Sequence, residues 1–333
     1  MISEDTRKLL ILSKIKGVGK KTLNDLAQDN YFFKLSISDW LTSIPKLFAK
    51  NANEEIIKNA IEAAEYDISE AKNNCDFILS IKDDYYPALL KNTKDKPAII
   101  FVRGDPKNFS TKSIAIVGTR DPSEHGIITA ERLTDYFSNQ GWQIVSGLAL
   151  GIDTIAHKTT IKNSCSTVAV LAQGLDKIYP KENKELTERI LENNGVLVTE
   201  YSYNSTTFRS NFVERDRIQA ALARGVLMVQ SDETGGSWHA SRAALNYGRN
   251  LLIPIATKKD IFIDYPKSRG NRVMMDGSDL DKTKILHCSI SDLDKLFIIK
   301  SKEDYSIAEK LLTDSIIDLK EDKKHSPSND LLS

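Results

Sequence analysis

Between Ser113 and Ile255 six short apolar runs alternate with five helical segments, and no other feature constrains the fold as strongly. The runs are 114–117, 143–145, 167–172, 196–199, 226–230 and 251–255. Helical patterns fill the gaps at 126–139, 152–163, 182–194, 212–223 and 237–247. Strands that alternate with helices in this way predict a Rossmann-like, doubly wound and mostly parallel α/β sheet. Right-handed crossovers then bring every strand-to-helix turn to one edge of that sheet. Ligands of open α/β folds bind at that edge.

The residues expected there form a distinctive set. The first run stops at Gly118-Thr119-Arg120 and the second at Ser146-Gly147. Later ends carry Gly174-Leu175-Asp176, Thr199-Glu200 and Thr234-Gly235-Gly236-Ser237, and Arg215 and Arg217 follow the fourth run. Glycines admit a phosphate to the backbone, while hydroxyls and guanidinium groups donate to it. Together they predict an anion site, with Lys181 and Lys184 extending it and Phe208, Phe212 and Trp238 available to stack on bases. For each aromatic taken singly, core packing is the alternative.

Other chemistries fit less well. A dinucleotide site wants G-x-G-x-x-G after the first strand, but the glycines fall at 118 and 126, so no cofactor is expected. Asp153 and His157 share one helix face, either as an acid/base pair or as a local structural contact. His125 and His239 have no ligand spacing, and Cys75, Cys165 and Cys288 are scattered, so no metal is expected and the thiols suggest a reducing compartment. No apolar run approaches membrane-spanning length, and MISEDTRKLL lacks the apolar core of a signal peptide, which together predict a cytoplasmic protein without a membrane partner. With 46 basic and 46 acidic side chains the chain is not a wholly basic nucleic-acid binder, although a local basic groove is compatible with that balance.

The flanks divide the chain further. Residues 1–72 read as a helical N-terminal domain in which Gly17, Gly19 and Lys20 resemble a helix-hairpin-helix turn able to hold a DNA phosphate. A simple helical packing element fits the same residues. A Walker A loop fails at Lys14 and Lys21. Residues 73–112 carry two β-rich runs, 77–81 and 99–102, as an edge extension leading into the main domain at 113–288. Residues 256–288 read as irregular. From 289 to 333 one helical stretch, about 306–319, precedes a polar, disordered tail.

Taken in order, these motifs resemble the DNA processing protein A family (DprA, or Smf). AIVGTR resembles that family's VGSR, and SGLALGIDTIAH its SGLAxGIDxxAH. AQGLDKIYPKEN resembles GxGLDxxYPxEN, and FVERDRI resembles FPxRNRI. YYPALLKNTKDKPAIIFVRG and SRGNRVMMDG resemble the family's lead-in and its closing segment, for a coverage of about 77–278. The resemblance implies a homodimer that binds single-stranded DNA without sequence preference, loads RecA recombinase onto it during uptake of foreign DNA, and catalyses no reaction. It makes Arg120 the leading phosphate contact, supported by Gly118, Ser146, Gly147 and Lys184, with Arg215 and Arg217 on the family's paired arginines. Four departures mark a divergent member: Asp216 for asparagine, Val213 for proline, Trp238-His239 for Leu-Ile, and no full C-terminal winged helix.

A nucleotide sensor on the same fold, for example in phage defence, is the alternative. A nucleotide hydrolase is weaker still, because Arg242 stands where the related P-G-G-x-G-T-x-x-E motif has its catalytic glutamate.

Overall fold

The structure, a computed structural model, describes residues 2–40 and 54–324, with side chains of the last helix described as far as 315. Helices α1 (Glu4–Ser13), α2 (Lys20–Gln28), α3 (Asn30–Lys34) and α4 (Glu54–Asn73) form the N-terminal part. The expected helical character of 41–53, and the polar tail from 325 onward, lie outside the described residues.

One nine-stranded sheet organises the rest. Its strands are β1 (Phe77–Ser80), β2 (Ile99–Arg103), β3 (Ser113–Val117), β4 (Gln143–Ser146), β5 (Thr167–Val170), β6 (Val196–Thr199), β7 (Gly225–Met228), β8 (Asn250–Pro254) and β9 (Leu296–Ile299). Their spatial order is β1-β2-β6-β5-β4-β3-β7-β8-β9. From β6 to β9 all neighbours are parallel, whereas β2 runs antiparallel to β6 and β1 to β2. All six runs of the central alternation are therefore strands, and the two β-rich runs at 77–81 and 99–102 extend the sheet at one edge.

The crossover helices are α6 (Glu124–Asn139), α7 (Ile152–Lys162), α8 (Lys184–Glu192), α9 (Arg209–Ala221) and α10 (Trp238–Asn246); a one-turn α5 (Ala88–Lys91) lies between β1 and β2. In β3, Ile114 and Ile116 enter one core with Leu133, Phe137 and Trp142, while Ala115 and Val117 enter the other. This two-residue alternation puts a hydrophobic layer on each face of the sheet. The larger core also takes in Leu9–Leu12 and Phe32, so the N-terminal helices pack against β1 and β2.

Two stretches differ from expectation. Residues 256–288 contain α11 (Lys258–Phe262), α12 (Arg269–Asp276) and α13 (Asp279–Leu286), helices too short to show a strong period. In the C-terminal part, β9 precedes α14 (Asp304–Lys324) and pairs with β8 from Leu251↔Leu296 to Pro254↔Ile299. A four-residue apolar run outside the strand–helix alternation gives no periodicity of its own that separates strand from helix. No helix among the described residues is long and apolar enough to cross a membrane.

Candidate nucleic-acid interface

The chain runs β3-β4-β5-β6 toward one edge, then returns to place β7 on the other side of β3. The crevice beyond β3 and β7 is thus the topological switch point, where neighbouring connections diverge and leave a cleft. Two backbone bonds close its base: Val229 N–H to the Val117 carbonyl (2.9 Å) and Thr119 N–H to the Gln230 carbonyl (2.8 Å). A cavity of about 780 Å³ opens there, lined by the turn 118–121, the N-terminal half of α9, the 231–237 loop and Lys267.

Arg120 stands exposed at this cavity, its guanidinium 5.8 Å from the centre of the Phe212 ring. Phe212 makes an edge contact with Tyr179 at 5.5 Å, and Phe208 is 62% exposed beside them. An arginine laid on a ring keeps its donors free for a phosphate while neighbouring π faces accept bases. Arg120 and Arg209 make no ion pair among the described residues, whereas Lys267 is held by Asp232 at 2.7 Å.

Arg215 lies on the floor, only 5% exposed, between two carboxylates. Its Nη1 is 3.9 Å from Asp153 and its Nε 3.4 Å from Asp216, and Nη1 donates to the Val170 carbonyl at 3.3 Å. Nε has no hydrogen-bond partner, so a buried donor remains unsatisfied in the cavity lining. Gly147 covers this guanidinium: any Cβ there would run into Arg215 Nη1. The glycine therefore serves a buried arginine rather than an incoming phosphate. Gly151, at φ +76°, is also required, because a side chain would strike the Thr119-Arg120 backbone.

Burial pushes the pKa of both carboxyls above the ordinary carboxylate range, with Arg215 opposing the effect. Asp216 is pushed up to about 7; Asp153 raises it further, while Arg120 and the Gln219 hydrogen bond lower it. The cavity lining carries Arg120, Arg209, Arg215 and Lys267 against Asp121, Asp153, Asp216 and Asp232. That formal balance makes the protonation of Asp216 decisive for its sign near neutral pH. His157, pushed down to about 3 first by burial and then by Arg215, is neutral. It shares a 2.8 Å hydrogen bond with Thr167, as a structural contact and not an acid/base partner of Asp153.

The remaining expected residues are distributed unevenly. Gly118, Thr119, Gly235, Gly236 and Ser237 line the cavity. Thr119 Oγ1 receives the Asp121 N–H at 3.2 Å, and Ser237 Oγ donates to Ser231 Oγ at 2.8 Å. Ser146 does not reach the cavity: its buried hydroxyl donates to the Ile116 carbonyl at 2.7 Å. Arg217 is turned away, bound to Glu200 at 2.6 Å and to the Asp95 carbonyl at 2.8 Å. Lys184 is exposed at the start of α8, outside the cavity lining. Trp238 is fully buried, donating to the Asp232 carbonyl at 2.7 Å, and so packs the core instead of stacking on a base.

At the N-terminus, Gly17 has φ +97° and Gly19 precedes α2. Lys20 forms ion pairs with Glu200 at 3.2 Å and Glu214 at 2.9 Å, which ties α2 to the sheet edge and occupies its charge. Arg242, at the place of a hydrolase glutamate, donates twice to the Ile285 carbonyl, at 2.9 and 2.7 Å. Tyr179 and Lys267 joined the site without a clear sequence signal: the first precedes Pro180 in a turn, the second lies in the stretch read as irregular. No group of His, Cys, Asp and Glu able to hold a metal occurs among the described residues.

Comparison with known proteins gives one consistent picture. The family model of DNA recombination-mediator protein A matches residues 77–278, more than half of the chain. The DNA processing protein DprA of Bacillus subtilis (strain 168) is 37% identical over 175 residues, covering 52% of this chain and 59% of that protein. The X-ray structure of DNA processing protein A from Streptococcus pneumoniae superposes with a TM-score of 0.64 at 26% identity, over 83% of this chain and 98% of that one. DNA processing protein A from Helicobacter pylori, whose structure was described for its single-stranded DNA binding mode, gives 0.53 at 27% identity, over 61% and 88%. The chain spans less than two thirds of the length of the curated relatives it matches.

Proposed function

Since the chain belongs to the DNA recombination-mediator protein A family, we propose that it binds single-stranded DNA without sequence preference at the switch-point cavity. The observation that carries this reading is Arg120, exposed, free of ion pairs among the described residues and laid over Phe212 at a cavity rimmed by Tyr179 and Phe208. A backbone phosphate would sit against Arg120 and the 118–120 turn, with Arg215 and its free Nε beneath. Flanking bases would stack on the aromatic rim, which favours no base because every base offers a π face. Arg209, and Lys184 beyond the cavity, would take neighbouring phosphates. Gly235, Gly236 and Ser237 would border the strand on the β7 side.

In this reading the chain acts in the cytoplasm as a homodimer, catalyses no reaction, and presents the strand to a RecA-type recombinase. Arg217 and Lys20 support the site through Glu200 rather than touching DNA. Fluorescence anisotropy with an oligo-dT of about 20 nucleotides, longer than a typical single-fold site, tests it. Three engaged cations, Arg120, Arg209 and Lys184, predict a log–log salt slope of about −2, at roughly −0.7 per phosphate neutralised. Duplex DNA of equal length should bind at least tenfold more weakly. No binding to oligo-dT at low salt, or equal binding to duplex, would overturn the proposal.

A further inference from the structure

A second groove of about 790 Å³ lies on the other side of β8, between α6 and α14. Thr129, Arg132, Leu133 and Tyr136 of α6 form one wall at helical spacing. Lys258 at the start of α11 and Lys300 and Lys302 in the turn after β9 line it further, and α14 contributes Tyr305. Lys300, Lys302 and Tyr305 follow the segment matched by the family model.

None of the four cations makes a side-chain hydrogen bond or ion pair among the described residues, and all four are exposed. The nearby carboxylates are engaged by other donors. Asp135 accepts from Asn163, Asp304 takes the N–H groups of Lys300 and Ser301, and Glu309 takes the Tyr136 hydroxyl and Trp142 Nε1. The Tyr136 and Tyr305 rings meet at 5.1 Å and 62°. The partly exposed Ile255 adds apolar surface beside them.

Four unpaired cations clustered at one cavity select an anion of several oxygens. Aromatic and apolar surface in the same cavity selects a ligand with a flat, weakly polar part. The volume suits a ligand of nucleotide size. We infer that this groove is a second binding site for a nucleoside 5′-phosphate, either free or as a unit of a single strand. The phosphate would meet Lys258, Lys300 and Lys302, and the base would lie along the tyrosines.

Lysine acetylation read by mass spectrometry tests this in the full chain carrying Arg120→Ala, so that the first cavity contributes little. AMP, inorganic phosphate and oligo-dT are the probes. Protection of Lys258, Lys300 and Lys302 by AMP identifies a free nucleotide as occupant; protection by oligo-dT but not AMP identifies a strand segment. In either case Lys300→Ala combined with Lys302→Ala, both at exposed positions, should weaken the protection of Lys258 about tenfold without changing thermal melting. Protection by phosphate as strong as that by AMP, or by none of the three probes, overturns the inference.

Discussion

Arg215→Ala is expected to remove about 3–5 kcal/mol of folding stability, the usual consequence of stripping the partner from buried charge. Arg215 is 5% exposed and is the cation between Asp153, which is buried, and Asp216, which is mostly buried. Its removal leaves two carboxylates without a counter-charge and a void beneath Gly147. Urea denaturation near pH 7.5 measures the loss as a lower midpoint with an unchanged slope. Adding Asp216→Asn to Arg215→Ala should return part of that stability, because one of the two unpaired charges disappears. Equal stability of Arg215→Ala and wild type would show that the guanidinium does not bind the floor of the cavity together.

Asp216→Asn should have the next largest effect, and its sign depends on pH. The folded chain holds the Asp216 proton up to about 7, whereas the unfolded chain releases it near 3.8. Between those values the folded state binds more protons, so stability falls as pH rises from about 4 and levels off above about 7. Asparagine cannot ionise, so the Asp216 share of that decline should be absent from the variant, which keeps only the share of Asp153. At about 1.36 kcal/mol per pH unit, the variant gains a few kcal/mol on the wild type between pH 4 and pH 8. The two carboxyls titrate together, so the wild-type transition belongs to the Asp153–Asp216 pair rather than to one group. Oligo-dT affinity should follow the same course, falling above neutrality in the wild type and staying flat in the variant. A wild-type stability profile that rises steadily from pH 4 to pH 8 would contradict the buried, protonated carboxyl.

The sheet was legible because short apolar runs alternate with helical segments along the centre of the chain, and several of the runs stop at a glycine or hydroxyl residue, as at Gly118, Gly147 and Ser231. β9 was not, since Leu296–Ile299 falls outside that alternation and pairs with a strand 45 residues earlier in register, Leu251↔Leu296. Within the site, Gly118-Thr119-Arg120 was readable from its place after β3. The fate of the two arginines was not. Residues two apart on a helix point in widely different directions, so Arg215 enters the floor while Arg217 turns to Glu200. Their acidic partners at 153 and 200 are distant in sequence. Trp238 resembled a stacking residue until Gly270 and the Asp232 carbonyl, brought together by the fold, enclosed its ring. Asp216, visible as a departure from the family pattern, gained its meaning from burial alone.

The most direct measurement is oligo-dT affinity of Arg120→Ala against wild type, by anisotropy across salt. Arg120 is exposed, lies over Phe212 and makes no ion pair among the described residues, so its removal should leave the fold intact. Losing one charge-assisted phosphate contact costs about 1.5–3 kcal/mol, which is roughly a 10- to 100-fold weaker complex. The loss should be the same for dT and dA strands, and the salt slope should become shallower by about 0.7. An affinity within twofold of wild type, with an unchanged slope, would contradict the placement of the strand at Arg120.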